Sequence, residues 1–178
     1  MALKATICKA ELHIADMERH YYQTHSLTIA RHPSEKDERM MLRVLVFALH
    51  ASEWLTFTQG ISTADEPDIW AKELNGEIDC WIDLGQPDEK RIRQACGKAR
   101  NVWIYNYGSR SAGPWWRKYQ PLLTRFSNLT VVNVPDEAVK AIGLLASKAM
   151  DVQCSIQDGQ VLVVSGDHSV HIELEKRM

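Results

Sequence analysis

Residues 5–16 and 21–30 alternate apolar and polar positions and are rich in β-branched and aromatic side chains, so both read as strands. The period then changes. After Pro33-Ser34, the apolar residues Met41, Val44, Leu45, Ala48 and Leu49 recur on one helical face, and Ser34 with Asp37 resembles a capping-box start. Residues 54–58 predict a short strand ended by Gly60. Two more alternating runs, 67–74 and 77–85, flank Asn75-Gly76, a pair that tolerates positive φ and so signals a hairpin turn. Beyond Gly85 and Pro87, residues 88–99 predict a helix with Ile92, Ala95, Cys96 and Ala99 inward, followed by a strand over 102–107. A helix from Gly113-Pro114 through Phe126 and a strand over 129–134 come next. Pro135-Asp136-Glu137 then opens a helix running to about Ala149. Residues 152–157 and 160–165 form a second hairpin around Asp158-Gly159, and a last strand lies near 168–175. The order ββ-α-βββ-α-β-α-β-α-βββ predicts a mixed β-sheet flanked by helices, in the α/β or α+β class.

A two-residue Asn75-Gly76 turn fixes the register of its hairpin. It pairs Ala71 with Cys80, Ile69 with Ile82 and Pro67 with Leu84 on one buried face. The opposite face carries Trp70 with Trp81, then Asp68 directly opposite Asp83, with Glu66 beside them. Cross-strand neighbours sit about 4.5–5.5 Å apart, so two facing carboxylates repel unless something offsets the charge. A divalent cation such as Mg²⁺, held by one or two carboxylates, is the expected counter-charge. A frayed hairpin end with the two acids pointing apart is the alternative.

Composition changes this picture only by exclusion. Within 178 residues, 45% are hydrophobic and 25% charged, as in an ordinary folded domain. No apolar run reaches the roughly 20 residues that span a bilayer, and the first residues do not read as a signal peptide. Cys8, Cys80, Cys96 and Cys154 stand singly, which suits reduced thiols and a cytoplasmic protein. The histidines are dispersed, and His168 and His171 fall on opposite faces of a strand. The net charge of −2 hides a partition. Residues 53–83 hold eight acids and one base, whereas residues 86–125 hold nine bases and two acids. That arrangement suits a metal site beside a surface that tracks phosphates, with Arg110, Arg117 and Lys118 as nucleic-acid contacts. Two solvated faces that neutralise each other are the plainer reading.

Residues 34–107, with a helix, three strands led by Pro67-Asp68, a second helix and a strand, resemble the αβββαβ core of the PD-(D/E)XK nuclease superfamily. Asp83 falls where the second acidic element of that pattern belongs. A more specific resemblance covers nearly the whole chain, 1–178, as a single domain. Ala2-Leu3-Lys4-Ala5-Thr6, Asp16-Met17-Glu18-Arg19-His20-Tyr21-Tyr22, Glu38-Arg39-Met40-Met41, Ala64-Asp65-Glu66-Pro67-Asp68-Ile69-Trp70 and Trp81-Ile82-Asp83-Leu84-Gly85 are similar to the bacterial YaeQ family. That family is understood to carry a variant of the nuclease fold, with extra N- and C-terminal strands here, and its activity is unsettled.

The resemblance implies that Asp68 and Asp83 bind a divalent metal, Mg²⁺, with Glu38 as a third ligand. It departs from the superfamily at Gly85, where a lysine is expected to activate water; Gln86, adjacent, or Lys90, one turn into the next helix, are the candidate substitutes. Two functions follow. One is a metal-dependent nucleic-acid phosphodiester hydrolase with a degenerate active site, its catalytic residues Asp68, Asp83, Gln86 and Lys90. The other is a non-catalytic nucleic-acid- or protein-binding regulatory module, for example a transcription-associated one. The paired aspartates favour the enzyme and Gly85 favours the binder.

Overall fold

The computed structural model describes residues 4–58 and 65–178. Gly60, expected to end a strand, and Ala2, Leu3 and Ala64 of the family resemblance lie outside the described residues. The chain forms two compact units, Met1–Ala51 with Glu137–Leu174 and Ser52–Asp136 with Glu175–Met178. Both combine a sheet with helices, so the α+β class is the observed one.

The first unit contains strands β1 (Thr6–Asp16) and β2 (Tyr21–Arg31) and helix α1 (Asp37–His50). Its second segment supplies helix α4 (Asp136–Gly143) and strands β8 (Ala149–Gln157), β9 (Gln160–Ser165) and β10 (His168–Glu173). The sheet order is β10-β9-β8-β1-β2, and β8 joins β1 in parallel. Alternate residues of β1 (Cys8, Ala10, Leu12, Ile14) are buried, as the period-two pattern requires. Leu12, Val152, Cys154 and Val163 meet Met41, Val44, Leu45 and Ala48 of α1 and Ile142 of α4. Every residue of α1 from Met40 to Ala48 is buried, so the expected apolar stripe is one side of a helix buried all round.

Two boundaries differ from expectation. The Ser34–Asp37 capping box does not form; Lys36 is the N-cap, and the Ser34 hydroxyl lies 2.7 Å from His32 Nδ1. The last helix stops at Gly143 rather than near Ala149, because Ala149 already pairs with Lys9 in the parallel ladder. A β-carbon on Gly143 would stand 2.7 Å from Glu38 Cγ and 3.1 Å from Glu38 Cα, so the close approach of these helices requires glycine there. The Asp158-Gly159 turn forms as expected, with φ of 53° and 75°.

The second unit contains β3 (Leu55–Phe57), β4 (Ile69–Lys72), β5 (Ile78–Leu84), α2 (Glu89–Lys98), β6 (Ala99–Asn106), α3 (Ala112–Leu123), β7 (Leu129–Asn133) and β11 (Glu175–Lys176). The sheet order is β11-β7-β6-β5-β4-β3, with β5, β6 and β7 parallel. Two sheets therefore stand where the sequence predicts one: periodicity reveals strands, but pairing partners far apart in the chain leave no local trace. Trp81, Val102, Ile104, Leu129 and Val131 form a core with Ile92 and Ala95 of α2 and Trp115 and Leu123 of α3. This is the covered parallel sheet expected of β-α-β units.

Candidate functional site

The hairpin register holds over the three pairs from Ile69 to Ala71, and beyond it Asp68 N donates to Ile82 O at 3.1 Å. Ile69 pairs with Ile82, Trp70 with Trp81 and Ala71 with Cys80. Nearer the turn it shifts. Glu73 N donates to Glu77 O at 2.8 Å and Gly76 N to Glu73 O at 2.9 Å, so the loop has three residues and Gly76 takes a φ of 88°. A bulge between Ala71 and Lys72 absorbs the extra residue, and Lys72 faces Ile78 rather than Asp79.

Asp68 immediately precedes β4, and Asp83 stands near the end of β5. The face carrying them is not open. Asp68 is 6% exposed and Asp83 3%. The cause is α2, whose Ile92 and Ala95 pack with Trp81 over the same face.

Both carboxylates are already engaged. Arg91 Nε donates to Asp83 Oδ2 at 3.0 Å, and Arg91 Nη2 donates to Asp83 Oδ1 at 2.9 Å. Trp81 Nε1 adds a third bond to Asp83 Oδ2 at 3.1 Å. Arg91 Nη2 also reaches the Glu66 carbonyl at 2.7 Å. Asp68 Oδ2 accepts the backbone N–H of Leu84 at 2.8 Å. Burial pushes the Asp83 carboxyl above the usual carboxylate range; Arg91 and Trp81 oppose that, and the neighbouring Asp68 charge adds to it.

Arg91 was not singled out from the sequence, although a signal for it exists. Asp88 is the N-cap of α2, and its side chain accepts from Arg91 N at 2.8 Å. This cap sets Arg91 in the first turn, where its guanidinium reaches back to β5. Two buried acids beside a missing lysine call for some cation, and Arg91 is the one the helix start delivers.

The other predicted residues are placed differently. Gly85 has a φ of 99°, and its N–H donates to Tyr105 O at 2.9 Å, so the departure from the superfamily pattern is one of backbone as well as side chain. Gln86 donates its amide to the Tyr107 carbonyl. Lys90 is exposed on α2. Glu38 is half-buried in the first turn of α1, in the first unit, against Gly143.

Tested against a divalent ion, the acids of the second unit do not form a vacant ligand set. Mg²⁺ requires oxygen ligands at about 2.0–2.1 Å in near-octahedral geometry. Here one carboxylate is chelated by a guanidinium, whose repulsion of each added positive charge at about 4 Å is on the order of 4 kcal/mol in a protein environment. Among the described residues no group of three or more His, Cys, Asp and Glu side chains is arranged to hold a metal ion.

Loops at the carboxyl ends of β5 and β6 lie together beside this cluster. Asn106 Nδ2 donates to Gly85 O at 3.1 Å, and Trp115 Nε1 donates to Pro87 O at 2.7 Å. Crevices outside the carboxyl ends of parallel strands are where sheets of this kind bind ligands. The basic segment divides into two groups. Arg91 is held by Asp83, Arg100 by Glu73 and Glu77 at 2.5 and 2.8 Å, and Arg93 and Arg125 by Glu89. The Arg91–Asp83 and Arg100–Glu73/Glu77 pairs join the two segments as the plainer reading of the charge partition anticipates, whereas the Glu89 pairs lie within the basic segment. Arg110, just before α3, and Arg117 and Lys118 within it are exposed, and α3 has no acid in its first turn. Among the described residues, no helix is long and apolar enough to cross a membrane.

Comparison with known proteins gives one family throughout. The family profile described as "YaeQ protein" matches residues 1–174. The chain is 42% identical over 174 residues to the "Uncharacterized protein YaeQ" of Escherichia coli (strain K12), covering 98% of this chain and 96% of that one. The Salmonella typhi protein of the same description is also 42% identical over 174 residues. Among solved structures, the YaeQ protein from Xanthomonas axonopodis pv. citri has a TM-score of 0.96 at 44% identity, covering 98% of each chain. The YaeQ protein from Pseudomonas syringae has a TM-score of 0.92 at 31% identity, covering 98% of this chain and 96% of that one.

Proposed function

The chain belongs to the YaeQ family, and we propose that it is a non-catalytic nucleic-acid-binding module built on a nuclease-like αβββαβ core. The observation that carries this reading is the chelation of Asp83 by Arg91. A carboxylate that chelates metal for hydrolysis must present its lone pairs to the ion, and here both oxygens accept from a guanidinium. Gly85 adds to the argument, because it offers no cation to activate water. The exposed bases Arg110, Arg117 and Lys118 supply the sequence-independent attraction to phosphates.

The test is fluorescence anisotropy with labelled single- and double-stranded DNA and RNA over a salt series, together with a cleavage assay in Mg²⁺ and Mn²⁺. Binding that weakens steeply with salt, without cleavage, is the expected result. Arg110→Glu with Arg117→Glu should lower affinity at least tenfold at low salt. Unchanged binding in that double variant, or no binding to any of the nucleic acids, would overturn the reading and leave a protein-binding role. A second reading is a metal-dependent phosphodiester hydrolase. It is favoured by the Asp83 carboxyl, raised first by burial and further by the Asp68 charge, a like-charge pair of the sort a metal relieves. It requires Arg91 to leave Asp83 first, and cleavage in the same assay would establish it.

A further inference from the structure

We propose that the Arg91 guanidinium is a built-in substitute for a divalent cation, so that the Asp68/Asp83 pair is closed to metal ions in the native protein and opens to them when Arg91 is removed. The two aspartates have the placement of a carboxylate pair, just before β4 and near the end of β5 on one end of the sheet. They are buried, and one carboxylate bears on the other electrostatically. Such a pair needs positive charge. Arg91 supplies it with two parallel N–H···O bonds to Asp83, the bidentate geometry in which a guanidinium binds carboxylate most strongly.

The guanidinium is itself anchored. Its backbone N–H is fixed by the Asp88 cap, and Nη2 is shared with the Glu66 carbonyl, the residue two before Asp68. One side chain thus ties α2, β5 and the segment leading into β4 together, which is the task a structural cation performs at a site of this kind. Lys90, one residue earlier, is exposed on the same helix. The proposal concerns only what neutralises the acids. It holds or fails independently of whether the protein binds nucleic acid.

The experiment is titration with Mn²⁺, followed by electron paramagnetic resonance and by the shift in melting temperature, on the full chain and on Arg91→Gln, Arg91→Lys and Arg91→Gln/Asp83→Asn. The wild-type protein is expected to show no Asp83-dependent site with a Kd below about 1 mM. Arg91→Gln should acquire one site at least tenfold tighter and should be stabilised by Mn²⁺; the added Asp83→Asn should abolish both effects. Arg91→Lys, which keeps a positive charge, should stay silent. Wild-type Mn²⁺ binding that is lost in Asp83→Asn overturns the proposal, as does a folded Arg91→Gln protein that ignores the ion. If Arg91→Gln folds only in the presence of Mn²⁺, the substitution is supported directly. If it stays unfolded even then, the ion cannot replace the guanidinium and the proposal fails.

Discussion

Arg91 holds Asp83 through Nε and Nη2 at 3.0 and 2.9 Å, while the Asp83 side chain is 4% exposed and that of Arg91 28%. This unequal burial sets the direction of the first prediction. Arg91→Ala leaves a charge stranded in the core and should cost about 3 kcal/mol at neutral pH. Burial already raises the folded-state pKa of Asp83, so its ionisation opposes folding, and stability falls as pH rises through the window between the ordinary carboxylate value and the raised one. Without Arg91 that window extends upward. Urea titrations at about pH 7 and pH 5 should therefore show the deficit of Arg91→Ala shrinking at the lower pH. A deficit that stays constant would mean Arg91 acts through packing alone.

Gly85 carries the second prediction. At a φ of 99° any L side chain is strained, although the space is open, since the nearest atom to an added β-carbon is Tyr107 Cε1 at 4.0 Å. Gly85→Ala and Gly85→Lys should lose similar stability, about 1–2 kcal/mol each. Restoring the superfamily's lysine is therefore no simple repair. Chemical denaturation of both variants checks this, and an undiminished Gly85→Lys protein would contradict it.

His50 ends α1, and burial first, then the Arg19 guanidinium, push its imidazole down to about 3, with Asp16 acting in the opposite sense. A lowered folded-state pKa means the unfolded chain takes up the proton first. The associated stability is present above about pH 6.5 and is lost as pH falls from there towards the folded value. The melting temperature of the wild-type protein should drop more between pH 7 and pH 5 than that of His50→Gln. Parallel curves would exclude His50 as the source.

In the same unit, Glu35 is enclosed by Arg43, with Nη2 at 2.5 Å and Nε at 3.0 Å, and by Arg39 at 2.8 Å. Glu35 and Arg43 are both buried. Arg43→Met alone should cost about 3 kcal/mol, because buried Glu35 loses two guanidinium hydrogen bonds and keeps that of Arg39, and Glu35→Leu/Arg43→Met should cost less than that single change. Strictly additive losses in a double-mutant cycle would show that the two groups do not depend on each other.

The sequence exposes those features that depend on neighbours in the chain. Alternation locates β1 and β2, and Asn75-Gly76 places Trp70 opposite Trp81 correctly. The same dipeptide serves a two-residue or a three-residue loop, which is why the bulge beside Lys72 escapes prediction. The parallel pairing of β8 with β1 joins residues about 140 positions apart and has no local signature. The proximity of Asp68 to Asp83 follows from strands adjacent in the chain, whose pairing runs to Ile69 and Ile82. Their environment does not, since it depends on α2 folding back over β5 and delivering Arg91. Ser34 misled for a related reason: with His32 beside it, the hydroxyl has a nearer partner than a helix N–H.

Because β8, β9 and β10 are all made after residue 148, the first unit's sheet consists of the β1–β2 hairpin alone until residues 149–157 have left the ribosome. At ordinary elongation rates the β1–β2 hairpin waits on the order of ten seconds with one edge of β1 unpaired, open to any strand that meets it. Strands β3 to β7, by contrast, emerge as one uninterrupted block from Leu55 to Asn133. The sheet begun first is thus closed only after five strands of the other have already been made.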